Sequence, residues 1–530
     1  MAMTETRPEA APDRAQAGAT AIEAHPPTGG LAGILGTGRH AAIGRLWIGT
    51  SLVFLVVTGI LGGVLGAERL KTETYNILNQ DNYAQTLSLH GVGGLFLFAI
   101  PILIGIAMIV VPAQVGADTV AFPRAAAAAF WTFLIGGGMV VVSYLINGGP
   151  FGGNDKGVDL FLASLGMVVV AIVLASVCLA TTVLGLRTTG MSLLRVPLFA
   201  WSVLTAATIW IASLGLLFGL LVLLYLDHRY RLFAFGASND IDRWLRWTMT
   251  PPQVFAYAIP VLGFAGDVVQ VFARARARRS GLAMVAIGAF AALSFGAWTY
   301  LGNIDNPRIY QQFLFVVTAF LIVFPVLMFA AFFADTLLHG RPRVRSPLLF
   351  AVAALLMLLA GVVEGAIRSV HSLALVDTTA EASISHYALG AVAIAAIGAL
   401  HYWWPQVLTR PLKEGLGVVT ALLLLVGVFA LSLPDLISGL LDERRGSLGA
   451  VRDGVEALNA VSFVGGMLVA LAVLIFIANL AASLASTPDE TVADPWDGQT
   501  LEWAADPVAL TVDSATPLLD SKEAAEGATT

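Results

Sequence analysis

Apolar residues recur along most of this chain in runs of roughly 20 or more, the length a helix needs to cross a bilayer core. Twelve such runs fall at about 42–66, 86–113, 126–147, 159–186, 197–226, 250–272, 283–302, 311–337, 347–370, 384–405, 417–440 and 455–485. Short polar or glycine- and proline-rich segments separate them. The pattern predicts an all-α fold, a polytopic membrane bundle of about 12 transmembrane helices. Composition agrees: of 530 residues, 57% are hydrophobic and 12% charged, with a mean hydropathy of +0.82. Soluble domains carry about 25% charged residues, so a water-soluble protein is excluded.

The pattern divides the chain into a tail over 1–40, a membrane domain over 41–486 and an acidic tail over 487–530. Both tails are expected to lie outside the bundle. The first is rich in Ala, Pro, Gly and mixed charge and reads as disordered. It lacks the apolar core of a signal peptide, so the first helix is expected to remain in the mature protein. The single cysteine, Cys178, sits mid-span and reads as a packing residue.

Charge in the short loops predicts orientation. "LRTTGMSLLR" (186–195), "RARARRS" (274–280), "HGRPRVRS" (339–346) and "TRPLKE" (409–414) are basic. They alternate with "GGPFGGNDKGVD", "GNIDNPR" and "LVDTTAEAS", which are mixed or acidic. The positive-inside rule puts the basic set and both termini on the cytoplasmic side of the membrane.

Eight histidines bring in candidate chemistry. His25 and His40 fall in the first tail, and His228 and His339 at loops or helix ends, where a solvated or interfacial ring is the plain reading. His401 opens "HYWWP", which reads as an interfacial aromatic belt, and His371 falls in an outer loop. His90, in "LSLHGVGGLFLFAIP", and His386, in "ISHYALG", lie inside apolar runs. A polar group there is costly without a partner and is by default a functional candidate. Either one alone reads as a structural hydrogen bond at least as well as a ligand. Two of them, both near the outer ends of the second and tenth spans, suit opposite faces of one haem iron if those helices face each other.

Glu364 and Arg368 are spaced i,i+4 and are expected to pair on one helix face. Asp267 reads either as a proton-relay carboxylate or as a side chain snorkelling to the basic loop beside it. No phosphate loop, zinc spacing, nucleophile elbow or nucleic-acid-binding patch is present, and the glycine clusters inside the spans carry no dinucleotide meaning.

Over about residues 42–508 the sequence resembles subunit I of the haem-copper oxidases, in the cytochrome c oxidase-like branch. The resemblance rests on "YAQTLSLHGVGGLFLFAIPILIG", "VGADTVAFPR", "LRTTGMSLLRVPLFAWSVL", "HYWWPQVLTR", "ALNAVSFVGG" and "ADPWDGQTLEW", in that order. It implies the family's twelve-helix fold and a low-spin haem held by His90 and His386. It also implies that Arg444 and Arg445, in "LLDERRG", face the haem propionates, as two guanidiniums suit two carboxylates.

Other family positions differ. The G-H-P-E-V-Y motif aligns with "TPPQVF", so Pro251 stands for a copper histidine, Gln253 for the glutamate and Phe255 for the cross-linked tyrosine. The two further copper histidines align with Trp298 and Thr299, the high-spin haem histidine with Ile384, and the loop histidine beside Asp377 with Val376. Of the proton-path residues, the lysine aligns with Phe329, the Asn pair after "FPR" with alanine, and the entry aspartate with Thr119, beside Asp118.

The resemblance with these departures implies a membrane cytochrome. It is expected to bind one low-spin haem, haem B rather than A or O because no arginine of "LGAERLK" matches the family's formyl contact (Arg69 is displaced). No copper is expected. Such a subunit transfers electrons within a respiratory or dehydrogenase complex, with a c-type cytochrome or quinone as partner, and is not itself an oxygen reductase. A terminal oxidase with unusual ligands, and a non-redox haem sensor, scaffold or transporter, stand as alternatives.

Overall fold

The computed structural model describes residues 37–70, 77–236, 240–275, 279–299, 309–408, 410–445, 454–487, 494–498 and 500–504. The expected tail over 1–40 therefore falls outside the described residues up to Gly36.

The predicted helices form. In chain order they are α1 (His40–Glu68), α2 (Gln80–Val115), α3 (Pro123–Leu145), α4 (Asp155–Gly185), α5 (Leu198–Tyr230), α6 (Ile259–Ala273), α7 (Ser280–Ser294), α8 (Ile309–Leu338), α9 (Ser346–Arg368), α10 (Ala380–Leu408), α11 (Glu414–Leu440) and α12 (Glu456–Ala485). Eleven are long and apolar enough to span a membrane, counting the one that starts at Ser280 through Thr299.

The sixth is the exception. The apolar run 250–272 predicts one helix, but the chain makes a short turn of helix at Gln253–Ala256, breaks, and resumes at Ile259. Pro251, Pro252 and Pro260 remove three backbone donors from that stretch, and proline disfavours helix in the residue before it. At 15 residues, α6 rises only about 22 Å.

Helix α2 runs through the middle of the bundle, with nearly all of its apolar stretch enclosed by other helices. Just after His90 it loosens into a π segment over Gly93–Ala99. Pro101 gives the reason: it cannot donate to the Leu97 carbonyl, and its ring pushes that carbonyl away. Helices α1, α8 and α12 lie outermost, exposing Val53, Ile60, Phe313, Phe324 and Leu474. Such side chains suit a lipid environment, whereas Trp47, Phe133, Phe199, Phe264 and Trp403 fill the interior.

Part of the second tail is not outside the bundle. Leu501, Glu502 and Trp503 are buried, and Trp496 donates through Nε1 to the Tyr402 carbonyl at 2.9 Å.

Candidate functional site: two facing histidines and their charged surround

His90 on α2 and His386 on α10 do face each other. Their ring centroids lie 6.2 Å apart, with the planes at 66°. His90 Nδ1 is 2.9 Å from the Thr58 carbonyl on α1, which makes Nδ1 the donor and leaves Nε2 as the free lone pair. Close backbone approach sets this contact up. A Cβ on Gly93 would lie 2.6 Å from Thr58 Cγ2, and a Cβ on Gly62 would lie 2.9 Å from His90 Cε1. His386 Nδ1 has no hydrogen bond and stands 3.8 Å from Asp435 Oδ2 on α11.

The spacing has chemical meaning. An imidazole nitrogen sits about 2 Å from a bound first-row metal. Two nitrogens on opposite faces of one ion are then about 4 Å apart, and their ring centres stand farther apart by the two ring radii. The observed 6.2 Å matches that arrangement, and with the planes at 66° the rings are not stacked face to face. His90 Nδ1 is fixed by a hydrogen bond, the kind of contact that orients a metal-bound histidine, while His386 Nδ1 has only the Asp435 carboxylate near it, at 3.8 Å.

Asp435 is a residue the sequence reading passed over. It is wholly buried in α11, and Arg69 Nη2 approaches its Oδ1 at 2.8 Å. The same Nη2 lies 2.7 Å from Asn459 Oδ1 and 3.5 Å from Glu443 Oε2. The signal was present, because Asp435 is an ionisable residue inside the apolar run 417–440.

The two arginines of "ERRG" do not share a partner. Arg445 donates its backbone N–H to the Asp377 carbonyl at 3.0 Å, and its Nη1 lies 3.8 Å from Glu381 Oε2. It borders a cavity of about 300 Å³ lined also by Leu87, Ser88 and Gly91 from the His90 helix. Arg444 pairs with Asp442 at 3.0 Å and borders an adjoining cleft of about 1030 Å³ with Trp298, Thr299 and His371; Arg246 and Asp377 line both spaces.

Several sequence expectations need correction. Arg368 does not pair with Glu364. It turns across the α9–α10 interface to Glu381, with Nε at 3.0 Å, while Glu364 Oε2 contacts Ser383 Oγ at 2.8 Å. A buried guanidinium gains more from a carboxylate it can meet with two N–H groups than from one a turn away along its own helix. Asp267 neither snorkels nor stands free. It accepts from the Leu198 and Phe199 N–H groups at 2.9 and 3.2 Å and from Gln114 Nε2 at 2.8 Å. Those N–H groups open α5 and have no intrahelical partner. His401 is not interfacial but buried between Phe350 and Phe476, with Nδ1 2.9 Å from the Ile397 carbonyl. His228 is also buried, 2.8 Å from Asp159 Oδ1.

At the positions aligned with the family's second metal centre, Phe255 is buried, with Gly361 and Gly365 closed against its ring, and Ile384 is fully enclosed. Gln253 Oε1 accepts from the Gly296 N–H at 2.9 Å. Among the described residues, no group of three or more His, Cys, Asp or Glu side chains is arranged to hold a metal ion.

Comparison with known proteins accounts for this architecture. The family model described as "Cytochrome C and Quinol oxidase polypeptide I" matches residues 42–485. The putative cytochrome c oxidase subunit 1-beta of Streptomyces avermitilis is 29% identical over 93% of this chain and 91% of its own length. Cytochrome c oxidase subunit 1 of Bacillus subtilis is 27% identical over 88% and 78%. The quinol oxidase subunit 1 of the same organism is 26% identical over 88% and 75%. A chain from a haem-copper terminal oxidase dimer solved by cryo-EM superposes with a TM-score of 0.68 at 16% identity, covering 91% of this chain and 89% of its own. The chain is thus a multi-pass membrane protein of the haem-copper oxidase subunit I superfamily, a family that binds haem.

Proposed function

We propose that this chain is a membrane cytochrome in which His90 and His386 hold one low-spin haem, without an oxygen-reducing copper and high-spin haem centre of its own. The observation that carries the reading is the 6.2 Å pair of facing imidazoles. When bound, the haem supplies a one-electron couple. The protein's part is to hold two neutral imidazoles in place: Thr58 fixes the His90 tautomer, and the close packing of α1 on α2 fixes its ring. Arg445, beside the cavity along α2, offers a guanidinium of the kind a propionate needs, with Arg444 on the adjoining cleft.

Loss of the oxygen centre is supported by the residues at its aligned positions. Pro251, Trp298, Thr299 and Ile384 have no imidazole to offer, and Phe255 has no phenol hydroxyl. The haem is assigned as type B, with A and O as alternatives. The basic loops and both termini are assigned to the cytoplasmic side of a bacterial inner membrane, with the histidine pair toward the outer face. There the subunit passes electrons between a c-type cytochrome or quinone and other subunits of a respiratory or dehydrogenase complex.

A second reading, a terminal oxidase with unusual ligands, is favoured by the names of its relatives, which are cytochrome c and quinol oxidase subunits. One experiment separates the two: reduced-minus-oxidised spectra with and without carbon monoxide, plus iron and copper analysis of the purified protein. The expected result is one six-coordinate haem, no copper and no response to carbon monoxide. Copper near one per chain, or a carbon monoxide-binding haem with oxygen consumption, overturns the proposal. His90→Ala and His386→Ala are each expected to abolish the haem spectrum.

A further inference from the structure

The two histidines differ in what supports them. His90 has a neutral carbonyl at Nδ1, the Thr58 oxygen at 2.9 Å. His386 has a carboxylate, with Asp435 Oδ2 at 3.8 Å, and no other polar partner reaches that nitrogen. If Nε2 of His386 is on the metal, Nδ1 carries the proton and must donate. An unsatisfied buried donor costs about 1–3 kcal/mol, and Asp435 is the acceptor the fold provides.

Asp435 is held at that place by a buried polar cluster. Its side chain is wholly buried, and Arg69 from the end of α1 lies 2.8 Å from Oδ1, the oxygen other than the one facing His386. Arg69 Nη2 also lies 2.7 Å from Asn459 Oδ1 and 3.5 Å from Glu443 Oε2. Arg69 therefore lies between two carboxylates, of which Asp435 is the one that faces His386. Sequence position gives no hint of this arrangement: Arg69, Asp435, Glu443 and Asn459 come from α1, the end of α11, the loop after it and α12.

We propose that Asp435 is the positioning residue of His386, taking the hydrogen bond of its Nδ1–H and stabilising the oxidised iron of the haem assigned above. The inference rests on that assignment. A ferric centre carries one more positive charge than a ferrous one, so a nearby carboxylate favours the ferric form. A carboxylate at Nδ1 also makes the imidazole a stronger donor to the metal. The carbonyl at His90 does neither to the same degree, so the two axial ligands are electronically unequal.

The test is a redox titration of the haem-loaded protein, read from its absorption spectrum, for the wild type, Asp435→Asn and Asp435→Glu. Asn keeps the size and the Arg69 contact but removes the charge. It is expected to shift the reduction equilibrium toward the ferrous form by tenfold or more, about 59 mV for one electron. Glu, which keeps the charge, is expected to stay near the wild-type value. An unchanged potential in a haem-loaded Asn variant overturns the inference and leaves the haem assignment intact. A wild type without haem overturns both. The wild-type protein supplies a second readout that does not depend on the variants folding. Its ferric electron paramagnetic resonance spectrum is expected to have the compressed g-value spread of an imidazole leaning toward imidazolate, and a spread typical of two neutral imidazoles overturns the inference.

Discussion

At the scale of single residues, the membrane interior makes each polar side chain identify itself by its partner. Arg368 and Glu381 are both buried, from neighbouring helices, and lie in direct contact. Breaking one side of such a pair leaves an uncompensated charge and costs about 3–5 kcal/mol, far more than the pair contributes over an apolar replacement. Arg368→Gln is therefore expected to lower the unfolding temperature in detergent sharply. A Glu381→Gln change added to it is expected to restore much of the loss, and thermal unfolding of the single and double variants checks this. The exposed Arg444–Asp442 pair, by contrast, is solvated and contributes about 0–1 kcal/mol. His401 and His228 teach the same lesson. Each reads as interfacial from its neighbours in sequence, yet each is buried because helices distant along the chain close over it.

At the scale of elements, helix ends and breaks follow from local chemistry and from borrowed partners. The π segment of α2 follows from Pro101, and the shortened α6 from Pro251, Pro252 and Pro260. The start of α5 borrows: Asp267 takes its first two N–H groups and Gln114 Oε1 takes that of Ala200 at 3.1 Å. Gln114 also donates to Glu502 Oε1 at 3.0 Å, and Trp403 Nε1 donates to the same oxygen at 3.2 Å, so the C-terminal segment docks on the same cluster. Burial pushes the Glu502 carboxyl above its ordinary range. A raised folded-state value means that docking is fully stable below the undocked value and weakens as pH rises through the docked one. Hydrogen exchange of residues 494–504 is expected to accelerate with rising pH in the wild type. In Glu502→Gln that added dependence is expected to vanish, once the intrinsic pH dependence of exchange is divided out.

At the scale of the whole molecule, the bundle must present one set of loops to each side of the membrane. The basic loops 186–195, 274–280, 339–346 and 409–414 alternate with mixed or acidic ones, as successive crossings of a membrane require. Cysteines introduced into 339–346 are expected to be shielded in intact cells from a membrane-impermeant maleimide. Cysteines introduced into 148–154 are expected to react. Labelling in the opposite sense would invert the bundle and move the histidine pair to the cytoplasmic side.

The sequence by itself determined the fold class, because runs of roughly 20 apolar residues have one stable solution in a bilayer. It also singled out His90 and His386, because an imidazole in such a run stands out without reference to any other residue. What pairs with what was decided only by tertiary structure. Thr58 against His90, Arg69 against Asp435, Glu381 against Arg368 and Gln114 against Glu502 join residues from 13 to 388 positions apart. The physical reason is that burial forces each polar group to find a partner across a helix interface. Periodicity along one helix shows which residues are inside, but not which helix lies opposite.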